Sequence, residues 1–163
     1  MSSSEALFRV LFVCTGNTCR SPMAAGALLR ELGSDAGRVE VSSAGTAAWE
    51  GQPATASTVE VAGREGIDLG LHRSRRVTPA LLRDADLVLV MERGHLGAIQ
   101  ALGAPRDNTH VLNEWPSPGD PELPVSDPFG ASMEAYEECW RRIRHHVRRI
   151  APFVREALRT RSA

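Results

Sequence analysis

The sequence predicts an α/β protein in which a mostly parallel sheet is covered by helices on both faces. Three observations carry this. The runs Leu7 to Val13 (LFRVLFV) and Leu87 to Met91 (LVLVM) are short, nearly all apolar and rich in β-branched residues, as in strands buried on both faces. Strand candidates alternate with helix candidates that carry their own start and stop residues. Near the end, Met133, Tyr136, Trp140, Ile143, Val147, Ile150, Val154 and Leu158 recur at spacings of three and four, the apolar stripe of a long helix packed on a core.

Taken in order, residues 1–6 read as a loose tail and Leu7 to Val13 as the first strand. A Gly-containing turn follows at 14–21. Ser21 is placed as a helix cap and Pro22 as the first helical residue, with the helix running from Ala24 to Leu32 and ended by Gly33. Val39 to Ser42 is the second strand. A loop over 44–53 holds Trp49 and Pro53, and a helix over 54–65 stops at Gly66. Thr78-Pro79 opens a short helix through Asp84. Leu87 to Met91 is the third strand, 94–102 a helix and 109–112 the fourth strand. Residues 115–130 hold five prolines and cannot be regular structure. A loop of that length in a small domain is functional or mobile as a rule. Pro152 is expected to kink or break the last helix. The whole chain reads as one domain over 1–163, with a core at about 7–150 and a helical extension at 151–163.

Composition narrows the function. The chain is 42% hydrophobic and 24% charged, too apolar for disorder. A formal net charge of −1 gives no basic field for nucleic acid. All 19 basic residues are Arg, so lysine Schiff-base chemistry is excluded. Three cysteines form no secreted disulfide framework, which places the chain in a reducing cytoplasm. No run has the length of a membrane span, and the N-terminal apolar run has no cleavage pattern. The expectation is a cytoplasmic monomer that binds neither membrane nor nucleic acid.

In a parallel sheet, ligands bind outside the carboxyl ends of the strands. The turn Cys14-Thr15-Gly16-Asn17-Thr18-Cys19-Arg20-Ser21 lies there by construction. Its amides can converge on an anion, and the next helix adds its positive end. The planar fork of Arg20 suits two phosphate oxygens. The same field favours a thiolate at Cys14, and the Ser21 hydroxyl can donate to its sulfur. A thiolate at the floor of a phosphate cradle is placed for in-line attack on phosphorus. A leaving group needs a proton, and Asp120, Glu122 and Asp127 in the proline-rich loop are candidates for the acid. The turn is no ATP-binding Walker loop, because there is no Lys. A zinc site is a poor fit, since Cys14 and Cys19 lack a second ligand pair.

Cys14-x5-Arg20-Ser21 directly after the first strand, with a late Asp127-Pro128, resembles the low-molecular-weight protein phosphatases. Ser42-Ser43-Ala44-Gly45-Thr46, Ala85 to Met91 and Asp127-Pro128-Phe129-Gly130 fall in that family's order, so the likeness covers roughly residues 7–150. The resemblance implies a three-layer α/β/α fold with a central four-stranded parallel sheet, a phosphate-binding loop after the first strand, and no cofactor or metal. It implies Cys14 as nucleophile, Arg20 as clamp and Asp127 as general acid on a phosphorylated protein substrate. Thr15, Gly16, Asn17, Thr18, Cys19 and Ser21 would hold the phosphate. Asn17 would brace the turn through Ser43 and His72. The string CTGNTCRSPMA over 14–24 together with DPFG is similar to the bacterial protein-arginine phosphatase branch. Tyrosine-directed members usually have a branched aliphatic residue at the Thr18 position and tyrosine or tryptophan at the Phe129 position. A hydroxyl at Thr18 can meet a polar guanidinium where an aliphatic wall cannot.

Plainer readings compete with each assignment. Asp127 could only cap the following helix. Cys19 could only pack inside the turn, or could trap oxidised Cys14 as a disulfide. His72 reads as structural. Trp49 is taken with Thr18 and Phe129 as the substrate pocket, against simple packing. The Arg-rich last helix reads as a solvated face. Phosphotyrosine hydrolysis is the alternative within the same chemistry. Arsenate reduction is a distant one, since the later Cys139 is expected to lack a thiol neighbour. A phosphoprotein-binding module without catalysis would be expected to lack the nucleophile or the acid.

Overall fold

β1 (Phe8–Cys14) is buried on both faces, and its side chains alternate between two cores. Phe8, Val10, Phe12 and Cys14 enter one core, and Leu11 and Val13 the other. That division builds the molecule, which a computed structural model describes over residues 7–162. The tail expected at 1–6 lies outside the described residues.

The elements are β1, α1 (Arg20–Leu32), β2 (Val39–Gly45), α2 (Ala56–Arg64), α3 (Pro79–Asp84), β3 (Leu87–Val90), α4 (Leu96–Ala101), β4 (Thr109–Val111) and α5 (Met133–Ser162). Four strands form one parallel sheet in the order β2-β1-β3-β4. α1 and α5 pack on one face with Met23, Leu28, Ile143, Val147 and Val154. α3 and α4 cover the other with Leu82 and Ile99. This is the three-layer architecture that the sequence implied.

Three details differ from the sequence reading. α1 begins at Arg20, with Cys19 at the cap position and no side-chain cap. Ser21 is therefore not the cap; it sits in the first turn, and its hydroxyl is used elsewhere. β2 runs three residues past Ser42, to Gly45. α5 is not broken at Pro152 but is one element of 30 residues. Ala151, Val154 and Leu158 are buried in the same core as Val147 and Ile150, so tertiary packing on both sides holds the helix through the proline. Residues 151–162 are thus part of the packed helix and not an extension beside the core.

β1 and β2 are in register from Phe8↔Val39 to Cys14↔Gly45. At its end the chain after β2 bonds back onto the turn: Thr46 N–H donates to the Cys14 carbonyl (2.9 Å) and Ala47 N–H to that of Thr15 (3.0 Å). Such an approach needs a glycine. A Cβ on Gly45 would strike the Thr15 carbonyl oxygen and lie 2.8 Å from Ala48 Cβ.

Candidate active site

The turn after β1 is fixed from behind by one side chain. Asn17 is fully buried and takes φ of 58°, a left-handed conformation that asparagine tolerates. Its Nδ2 donates to Ser21 Oγ (2.7 Å) and Ser43 Oγ (2.9 Å). Its Oδ1 accepts from the Arg75 amide (2.9 Å), and its carbonyl from His72 Nε2 (2.7 Å). The brace expected through Ser43 and His72 is there, and Arg75 adds a backbone bond that the sequence reading did not include.

Cys14 Sγ sits at the floor of this turn, 2% exposed as a residue. Ser21 Oγ lies 3.0 Å from the sulfur, and the Asn17 amide donates to it at 3.3 Å. Ser21 Oγ already accepts from Asn17 Nδ2, so its own proton is free for the sulfur. Burial pushes the Cys14 thiol up, against the pull of the Ser21 hydroxyl, the Ser21 amide, the Arg20 charge and the Asn17 amide. The first amides of α1, which have no acceptor within the helix, add their field to that pull.

The Arg20 guanidinium is buried and half committed. Nη1 donates to Glu92 Oε1 (2.7 Å) and to the Val125 carbonyl (3.1 Å). Nη2 reaches Thr15 Oγ1 at 3.5 Å and stands 3.8 Å from Asp127 Oδ2. Nε has no protein partner among the described residues, which leaves the Nε–Nη2 edge for an anion. Glu92 is itself fixed, because it and His95 form a reciprocal cap at the turn leading into α4. His95 Nδ1 accepts from the Glu92 amide (3.3 Å), which puts its proton on Nε2, and Nε2 then donates to Thr15 Oγ1 (2.9 Å). Burial holds His95 and His72 below the usual histidine range.

Cys14, Thr15, Gly16, Asn17, Thr18, Cys19, Arg20, Trp49, Asp127 and Phe129 line one cavity of about 580 Å³. Thr18 is half-buried there, with its carbonyl held by the Thr55 amide (3.0 Å). Trp49 and Phe129 stand at the mouth, 78% and 69% exposed. Of the three candidate acids only Asp127 lines this cavity; its Oδ1 accepts from the Phe129 amide (3.1 Å). Asp120 is turned to His145 (2.8 Å), and Glu122 is not in the lining. A larger groove of about 710 Å³ lies over His72, Ser43 and α1, and none of the three cysteines lines it. Cys14, Cys19 and Cys139 are free and buried. Cys139, expected to lack a thiol neighbour, shares a core with the other two, and burial pushes its thiol up to about 12.

The sequence reading missed Glu92 and His95. Their signal was present as a Glu-x-x-His reciprocal cap directly after a buried strand, at the carboxyl edge of the sheet.

Comparison with known proteins agrees with this geometry. Residues 9–161 match the family described as low molecular weight phosphotyrosine protein phosphatase. A probable low molecular weight protein-tyrosine-phosphatase, EpsP, of Ralstonia nicotianae is 36% identical over 147 residues, covering 90% of this chain and 95% of its own. A protein-arginine-phosphatase of Bacillus subtilis is 39% identical over 146 residues, covering 87% and 93%. Among solved structures, the YwlE arginine phosphatase in a mutant form with a phosphorylated active site serine superposes with a TM-score of 0.82. It is 34% identical and covers 90% of this chain and 95% of that one.

Proposed function

The chain belongs to the low molecular weight phosphotyrosine protein phosphatase family, which are cysteine-based phosphatases, and from that premise we propose that it hydrolyses phosphorylated protein side chains through a phosphocysteine, with phosphoarginine preferred. The observation that carries this is the half-committed Arg20. With Nη1 tied to Glu92 and Val125, its Nε–Nη2 edge is left for an anion, and Arg20 lines the same cavity as Cys14.

Cys14 Sγ attacks phosphorus. The S–P bond forms as the P–N bond of phosphoarginine, or the P–O bond of phosphotyrosine, breaks. Arg20 and the amides of the turn hold the three equatorial oxygens, where charge spreads in the transition state. Asp127 gives its proton to the departing atom. Its carboxylate then takes a proton from water as that water attacks the phosphocysteine, which breaks S–P and releases inorganic phosphate. The serine phosphorylated at the active site of the related arginine phosphatase supports a covalent route.

The preference for phosphoarginine rests on Thr18. Thr18 is half-buried and lines the cavity, where a guanidinium offers its hydroxyl several donors and the aryl ring of phosphotyrosine offers none. The test compares kcat/KM for a phosphoarginine and a phosphotyrosine peptide. The wild type is expected to favour phosphoarginine, and Thr18→Ile to shift the ratio toward phosphotyrosine by about tenfold or more. An unchanged ratio defeats the specificity assignment.

A further inference from the structure

The acid-bearing segment 115–130 is poor in backbone donors because of its five prolines, so its carbonyls need partners from elsewhere. One helix supplies them. Arg142, His146 and Arg149 of α5 recur at spacings of four and three, which places them on one face. Arg142 Nη1 donates to the Pro124 carbonyl (2.8 Å) and His146 Nε2 to that of Leu123 (2.7 Å). Arg149 spans the start of the segment, donating to the Trp115 (3.2 Å) and Pro116 (3.1 Å) carbonyls. His146 is fully buried, and its Nδ1 accepts from Arg149 Nη1 (3.4 Å), so its proton sits on Nε2 and the ring is neutral. Glu138 orients Arg142 through Nε (2.9 Å). Val125, next after the gripped Leu123 and Pro124, is buried and gives its carbonyl to Arg20, and Asp127 follows two residues on.

We infer that this face of α5 positions the proton donor: Arg142, His146 and Arg149 hold the segment's backbone so that Asp127 stands beside Arg20 over Cys14. None of the three lines the cavity, so they are positioning residues. The inference rests on the reading of Asp127 as general acid.

A purely structural role and a positioning role separate on leaving-group dependence. A good leaving group departs without a proton, while a poor one needs the acid. The experiment measures kcat/KM, which reports the step in which the leaving group departs, for aryl phosphates from p-nitrophenyl to unsubstituted phenyl. Arg142→Met and His146→Ala are expected to lose about tenfold or more on phenyl phosphate and less than about threefold on p-nitrophenyl phosphate. His146→Gln, whose amide can still donate to Leu123, should recover most of the loss. Arg142 is partly exposed, so Arg142→Met keeps the test available should His146→Ala fail to fold, as judged by thermal melting. Asp127→Asn is run alongside. If it shows the leaving-group selectivity and the folded α5 variants lose nothing, or lose equally on every substrate, the positioning role is overturned. If Asp127→Asn itself shows no selectivity, the acid assignment fails first and takes the inference with it.

Discussion

At the scale of single residues, the ionisation of Cys14 is a contest between burial and polar neighbours. Burial pushes the thiol up. The sulfur, at the end of an apolar core, nevertheless has polar neighbours: a hydroxyl at 3.0 Å, an amide at 3.3 Å, a guanidinium and the start of a helix. Attack by a thiolate needs these donors to outweigh burial. Glu92 weakens their hand, because its carboxylate neutralises part of Arg20 at 2.7 Å. Glu92→Gln keeps an acceptor for Nη1 and removes the charge, so it should shift Cys14 ionisation to lower pH. Glu92→Ala removes the anchor as well, and kcat/KM should fall by about tenfold. Thiol titration and steady-state kinetics on the two variants check both outcomes. Cys14 and Arg20 stand out in the sequence because they share one turn directly after the first strand, whereas the residues alone leave Asp127 one of three candidate acids beside Asp120 and Glu122. The sequence could not show that Arg20 is shared with Glu92, because that contact joins residues 72 apart. Nor could it show the depth of Cys14, which depends on packing from α1, β2 and the segment before Asp127.

At the scale of elements, strand existence was easy to read and boundaries were not. β1 and β3 were visible as apolar runs. The sequence reading ends β2 at Ser42, three residues before the strand's end at Gly45, and begins a loop at Ala44. In fact Ser43 serves Asn17, and Gly45 lets the strand end touch the turn after β1. Ser21 was read as a cap because its type and place fit one; its hydroxyl is spent on Asn17 and Cys14 instead. Pro152 reads locally as a kink or a break because local rules see only the missing N–H. The buried residues on both sides of it decide the outcome. The proline-rich segment was rightly read as irregular, but what secures it, side chains of α5 at carbonyls 18 to 34 residues earlier, left no local trace.

At the scale of the whole molecule, the uneven charge of the sequence resolves within the fold. Residues 84–138 hold eleven acids and 141–163 hold eight arginines. Arg161 pairs with Asp86 of the acidic stretch (2.9 Å), while Arg144 pairs with Glu65 (3.1 Å) and Arg155 with Asp35 (3.4 Å), so α5 spends part of its charge on loops earlier in the chain. Each exposed pair is worth little, about 0–1 kcal/mol, and together they help fix the register of the helix. Histidines give the molecule its acid sensitivity. Burial lowers His72, His95, His110 and His146 from their ordinary 6.5. As pH falls through the unfolded value of 6.5 the unfolded chain binds protons that the native molecule resists, and stability falls; about a unit or more above 6.5 these groups are neutral in both states and contribute no slope. Melting temperature should be level between about pH 7.5 and about pH 8 and drop as pH falls through 6.5, with a shallower drop in His146→Gln. A melting curve that rises toward acid would contradict this.

The chemistry as a whole depends on one sulfur being anionic in the native protein. Its direct test is the pH dependence of Cys14 alkylation by iodoacetamide, with Cys14→Ser as the blank. The expected midpoint lies well below the ordinary cysteine value of about 8.5. A midpoint at or above about 8.5 would show that burial wins over the donors around the sulfur, and would contradict attack by a standing thiolate.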